Sequence, residues 1–194
     1  MARPKLSSLA TLAPQGALQT RTLLTTSLST AHSVDGTAMS FSCPVPSATD
    51  LSTTISAAFN TPYLSRAPMQ VSRPRRLNGI LYGPHLKPII SMVASHGLNA
   101  IHVHFLVESS SPTTFISREA ITALLGREYL TPSEFPLLRL SGYVARAEQS
   151  RYWFPDLNLL GRDFLQEHRA RVEVGYTARS VEVSFRGALS GPGG

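Results

Sequence analysis

His104-Phe105-Leu106-Val107-Glu108-Ser109-Ser110-Ser111-Pro112-Thr113-Thr114-Phe115-Ile116-Ser117 runs an apolar segment straight into a carboxylate. A turn of small hydroxyl residues and a proline follows, and then a second short apolar run. Upstream, Ala100–Val107 alternates with Ile101, Val103, Phe105 and Val107 on one face, the period of two that marks a strand. Pro88–Val93 reads as a preceding strand and His96-Gly97-Leu98-Asn99 as the turn between them. The pair is expected to form a hairpin whose second strand delivers Glu108 to its end.

Downstream, Ser117 is placed to cap a helix over Arg118–Leu125, with Glu119 in its first turn and Gly126 as its stop. Leu137–Ala147 reads as one strand with Gly142 as a bulge. Arg171–Val174 and Ser180–Phe185 alternate across Gly175–Arg179 and predict a hairpin. The Gly-rich end, 188–194, is expected to be a flexible tail.

A second motif, whose Gly161 stands 53 residues beyond Glu108, reads Leu157-Asn158-Leu159-Leu160-Gly161-Arg162-Asp163-Phe164-Leu165. Together the two stretches resemble the retropepsin-like aspartic proteases of retroviral and retrotransposon type. That family carries an apolar strand, Asp-Thr/Ser-Gly, a small residue and another apolar strand. Near its C-terminal end it carries apolar-Asn-apolar-apolar-Gly-Arg-Asp/Asn-apolar-Leu. The second pattern is matched at each position, and the resemblance covers roughly residues 77–187. It implies a mainly β, closed acid-protease barrel with one or two short helices. It also implies that Leu157–Leu165 is a buried strand leading into a short helix beneath the active-site loop, where the Arg and Asp of the motif are structural.

By the same resemblance the catalytic loop is Glu108, Ser109 and Ser110. The activity implied is that of an aspartic endopeptidase on a peptide or protein substrate, without metal or cofactor. Such enzymes activate water between two carboxyl groups that share a proton. This chain has one such loop, so a dyad requires a homodimer with one Glu108 from each subunit about a two-fold axis. Two positions depart from the family. Glu108 replaces Asp and lengthens the side chain by a methylene, where shifts of about 1 Å can cost about 100-fold in rate. Ser110 replaces Gly and puts a Cβ and a hydroxyl into the cleft. Residues 126–138 show no hairpin signature, so the family's substrate-covering flap is expected to be short or absent. Two readings follow: a family member with impaired catalysis, or a non-catalytic pseudo-protease acting as a binding or dimerisation module.

Other sites carry less. His102 and His104 share a strand face and could ligate a metal together with Glu108, yet no third ligand stands at a typical spacing. Half-exposed strand histidines are the plainer reading. Cys43 is the only cysteine, which excludes an internal disulfide and a cysteine-based metal site. Trp153, between Tyr152 and Phe154, reads as core or dimer contact.

The net charge of +6 is unevenly spread. Residues 1–76 hold seven Lys/Arg against Asp35 and Asp50, whereas the remainder is near neutral. Arg73-Pro74-Arg75-Arg76 reads as a solvated linker, and no basic face interleaved with aromatics suggests nucleic acid. No run approaches the length of a membrane span. Residues 1–33 lack acids and are rich in Ser, Thr and Leu, which fits a mitochondrial transit peptide and equally a disordered, cytoplasmic leader. The apolar core Leu9–Leu12 is too short for secretion. Residues 1–76 are therefore expected to be leader and linker, with one or two helical turns within Leu51–Phe59, because large apolar residues are sparse there.

Overall fold

The computed structural model describes residues 45–69, 71–127, 131, 135–151 and 155–186. The expectations for the leader, Cys43, Trp153 and the 188–194 tail lie outside the described residues. The domain is mainly β. Its strands are β1 (Arg76–Tyr82), β2 (Lys87–His96), β3 (Asn99–Val107), β4 (Phe115–Ile116), β5 (Leu137–Leu140), β6 (Tyr143–Arg146), β7 (Glu148–Gln149), β8 (Leu159–Leu160), β9 (Ala170–Gly175) and β10 (Ser180–Phe185). Four short helical pieces join them: α1 (Ala48–Asp50), continued by a π-helical turn into α2 (Ser56–Phe59), then α3 (Arg118–Leu125) and α4 (Arg162–Glu167).

Along the sheet the order is β7-β4-β8-β3-β2-β1-β10-β9, with the β5–β6 hairpin attached to the far end of β2. Long antiparallel ladders form the half from β3 to β9. In the other half β8 inserts between β3 and β4, parallel to β3 and antiparallel to β4. The sheet does not close among the described residues, which corrects the expected barrel. Its two ends are unlike: β7 is two residues long, and β9 is mostly exposed.

The expected β2–β3 hairpin forms around Gly97, whose positive φ of 55° is the conformation glycine adopts at least cost. Ser117 accepts a hydrogen bond from the Ala120 amide and Gly126 ends α3 in the left-handed region, as expected. The β9–β10 hairpin also forms as expected. Leu137–Ala147 does not form a single bulged strand. Ser141 (φ 46°) and Gly142 (φ 82°) make a two-residue turn, and Leu137–Leu140 folds back on Tyr143–Arg146. Consecutive positive φ values select the turn whose twist matches a hairpin.

The larger correction lies at the N-terminal side. A linker through residue 76 fails from Ser47 onward. Ser47 and Asp50 cap α1 reciprocally, and the Tyr82 hydroxyl donates to Asp50 Oδ1 at 2.7 Å. Leu51, Ile55, Phe59 and Tyr63 recur every fourth residue, so they line one helical face and its continuation. They pack with Ile89, Leu106 and Leu157 in an apolar cluster of their own. The chain then runs along the edge of β3, where Leu64 N donates to His102 O and His102 N to Ser65 O. Both faces of β3 are therefore covered. Ile101, Val103, Phe105 and Val107 face the main core with Ile121, Leu160 and Phe164, and Leu106 faces the N-terminal strap.

β1 was not foreseen as a strand, and its centre is Gly79. A Cβ there would overlap the Ile89 carbonyl oxygen and lie 2.7 Å from both Ile90 Cγ2 and Val181 Cγ1. We expect Gly79→Ala to lower the unfolding free energy by about 2–3 kcal/mol, read from urea denaturation, because three strands must shift to admit one methyl.

Candidate functional site

β3 ends at Val107, and the Glu108 amide donates to Leu160 O at 3.0 Å, so β8 fixes where the strand hands over to the loop. The Ser111 amide donates back to Glu108 O at 3.1 Å and closes the turn. Arg162 N donates to Ser111 O at 2.8 Å. The loop is thus held from beneath by the chain that leaves β8 for α4.

Asp163 and Thr114 form the centre of that attachment. Thr114 is fully buried. Its amide donates to Asp163 Oδ2 (3.1 Å) and its hydroxyl to Asp163 Oδ1 (2.7 Å), while the same hydroxyl oxygen accepts from Gly161 N (3.1 Å). Gly161 is required by close approach: a Cβ would overlap the Thr113 carbonyl and lie 2.8 Å from Thr114 N. Asn158, also fully buried, accepts from Ser117 N (2.8 Å) and donates to Tyr63 OH (2.8 Å) and His104 O (3.3 Å). Asn158 and Asp163 are structural. The Arg162 side chain is exposed, and its backbone amide makes the contact to the loop.

Glu108 is half-buried and lines an open cleft of about 420 Å³ with Ser110, Ser111, Phe115, Ser150, Arg151 and Leu159. Glu108 Oε1 accepts from the Ser110 hydroxyl at 2.6 Å and from the Ser110 amide at 3.2 Å. Ser109 is exposed and does not line the cleft. Of the three residues expected at the catalytic loop, Glu108 and Ser110 therefore meet in the cleft and Ser109 stands outside it. Phe115, Ser150, Arg151 and Leu159 were not singled out from the sequence. Phe115 and Leu159 could have been, since each lies within one of the two motif stretches, whereas Ser150 and Arg151 follow β7, which carries no periodic signal.

The hairpin between the two motifs does not cover this cleft. Its turn is anchored elsewhere, by Ser141 N to Val93 O (2.6 Å) and by Arg73 Nε to Gly142 O (3.0 Å). Much of 126–138, where the flap was sought, lies outside the described residues. Arg73-Pro74-Arg75-Arg76 is part of the fold, not a free linker: Pro74 O accepts from Tyr143 OH, and Arg75 O from Phe185 N.

His104 is fully buried, not half-exposed. Its Nε2 lies 3.3 Å from Ser56 Oγ and its Nδ1 3.1 Å from Ser91 Oγ, with Phe59 stacked on the ring at 5.1 Å. Ser56 Oγ already donates to Leu51 O (2.7 Å). The network therefore assigns the imidazole proton to Nε2, which donates to Ser56, and leaves Nδ1 to accept from Ser91. Both nitrogens are engaged, and among the described residues no cluster of His, Cys, Asp or Glu is placed to hold a metal ion. Nor is any described helix long and apolar enough to cross a membrane.

Burial lowers the His104 pKa to about 4, against a smaller upward pull from a backbone hydrogen bond to Thr61 and with a slight further push from nearby His102. The unfolded chain therefore takes up a proton, at an ordinary value near 6.5, that the folded chain refuses. Stability is then greatest above about pH 6.5 and falls as pH drops toward 4, by up to about 2–3 kcal/mol. Urea midpoints measured between pH 7.5 and 4.5 should show that loss in the wild type and a smaller one in His104→Gln, which is less stable at neutral pH. Thr114→Val should cost about 2–3 kcal/mol by the same measurement, because it leaves a carboxylate oxygen short of a donor. No protein-family model matches the sequence, and neither a curated protein nor a solved structure matches the chain.

Proposed function

We propose that this domain is retropepsin-like in fold, and that its cleft binds an extended peptide or protein segment without hydrolysing it. The fold reading is supported by the placement of Leu157–Leu165: a buried strand, then a short helix, tied by Asp163 and Thr114 to the underside of the Glu108 loop. The functional reading rests on one observation, the closed pair of Glu108 and Ser110.

A general base needs a carboxylate oxygen directed at a water, and an aspartic-protease site needs a second carboxyl group to polarise the scissile carbonyl. Here Glu108 Oε1 is held by both the hydroxyl and the amide of Ser110. The described lining of the cleft holds no other carboxylate. What remains suits recognition. Phe115 and Leu159 offer apolar walls, and Glu108 and Arg151 bring opposite charges to one opening. A cleft with apolar walls and a few convergent polar groups is the usual form of a ligand site.

Incubating the full chain with a mixed-peptide library between about pH 4 and 6, the range in which carboxylate dyads work, separates this reading from an active enzyme. The wild type should retain a subset of peptides intact, and Glu108→Ala should weaken that retention. Hydrolysis by the wild type that disappears in Glu108→Ala would overturn the non-catalytic reading.

A further inference from the structure

The open end of the sheet is self-complementary. In β10 the Phe185 amide donates to Arg75 O, and the Arg179 carbonyl just before the strand accepts from Leu81 N, both at 2.9 Å. The odd-numbered residues of this strand therefore direct their backbone groups toward β1. Its even-numbered residues, Ser180, Glu182 and Ser184, direct theirs toward β9, where they stand opposite Gly175, Glu173 and Arg171. In an antiparallel ladder the intervening residues point the other way. Ala170, Val172 and Val174 thus turn their N–H and C=O groups away from β10, and no strand among the described residues pairs with them.

The side chains repeat the same symmetry. Arg171 and Glu173 flank Val172, both exposed on one face of the sheet, with Arg171 Nε 3.1 Å from Glu173 Oε1. Across the ladder Glu173 faces Glu182, a like-charge pair, and Glu182 is itself only loosely met by Arg76 at 3.6 Å. The edge has local need of another cation beside Glu173.

We propose that the chain self-associates through β9, edge to edge with a second copy about a two-fold axis at Val172. That register is the one the backbone allows. Val172 meets its own copy in a hydrogen-bonded pair, and Ala170 and Val174 exchange hydrogen bonds reciprocally. Arg171 then falls opposite Glu173 of the second copy, twice, in the non-hydrogen-bonded pairs where side chains stand closest. Each Glu173 gains a cation against the crowding by Glu182. Shifting the register by two residues in either direction keeps the backbone pairing but loses both of these opposed pairs and sets Arg171 or Glu173 against its own copy. An isologous contact of this kind closes as a dimer and leaves no β9 edge for further growth.

The association is independent of what the cleft binds, but it constrains it. β9 lies four strands from β3. At about 4.8 Å per strand, the two Glu108 loops of this dimer stand roughly 40 Å apart along the joined sheet. The two carboxylates then cannot form a dyad.

Charge-swap variants of the full chain test the proposal by sedimentation velocity over a wide range of concentration. The wild type should show a concentration-dependent monomer–dimer equilibrium. Glu173→Arg or Arg171→Glu alone sets like charges against each other at both pairs and should weaken association about tenfold. An equimolar mixture of the two single variants, or the double swap in one chain, restores opposite charges and should restore the dimer. Val172→Pro removes an outward N–H without touching a β9–β10 hydrogen bond and keeps an apolar side chain on the face packed against the core; it should also give monomer, with β9–β10 intact by circular dichroism. A wild type that stays monomeric throughout overturns the proposal, and so does a dimer indifferent to both single swaps.

Discussion

The attachment of Thr114 to Asp163 is the contact on which the cleft depends. β8 and β4 are two residues long, and strands that short have almost no ladder of their own. Their position between β3 and β7 is held by side chains. Thr114 uses its amide, its hydroxyl proton and its hydroxyl oxygen at once, on Asp163 and Gly161. A carboxylate accepting bonds from a buried amide and hydroxyl is worth more than a neutral pair, and it is costly to strand. Gly161 permits the approach, since a side chain there would strike Thr113. From this anchor the Glu108 amide finds Leu160 O and the loop takes its shape. Glu108 is where it is because Asp163 holds the far side of the turn.

A second constraint comes from the opposite face of β3. Asn158, Tyr63 and Ser117 make one hydrogen-bonded group that joins the N-terminal strap, β8 and the cap of α3. His104 lies under the same strap, with Ser56 on one nitrogen and Ser91 on the other. A polar group in so apolar a place is tolerable only when each of its positions is satisfied. The strap is thus part of the domain. It covers a β2–β3 surface that would otherwise expose Ile89 and Leu106, and it meets the motif that supports the cleft.

The sequence was legible where the signal is local. Ser117 before an apolar-periodic run, Gly126 after it, and the alternation around Gly97 and Gly175 each specify a backbone geometry within a few residues. The second motif was legible because Asn158, Gly161 and Asp163 each have a single geometric task. The strap was not, since four large residues at intervals of four are diluted by Ser, Thr and Ala between them. Average composition over 34–76 hides that stripe, and only the partner surface on β3 gives it meaning. Gly142 reads as a bulge because both interpretations place a glycine at positive φ, and the choice lies with the pairing of Leu137–Leu140 to β2. The openness of the sheet was illegible for a similar reason. Closure depends on whether distant strands meet, and nothing within β9 reports on that.

On the proposed retropepsin-like reading, Glu108 and Ser110 are best understood as one change. Aspartate at 108 would end a methylene nearer the backbone, and its carboxylate would present its oxygens to the opening. Glutamate has the reach to fold back over the turn, but folding back is favourable only if a donor waits there. Ser110 supplies two, and the contact to its hydroxyl, at 2.6 Å, is among the shortest in the domain. A glycine at 110 would keep the amide and lose that bond, leaving the longer side chain free to swing. The pair also fills part of the space that a glycine would have left for a substrate backbone to pass closely. The same residues therefore quiet the carboxylate and narrow the floor of the cleft. On the proposed reading, both effects favour a ligand that rests against the walls formed by Phe115 and Leu159 over one whose backbone must reach the loop itself.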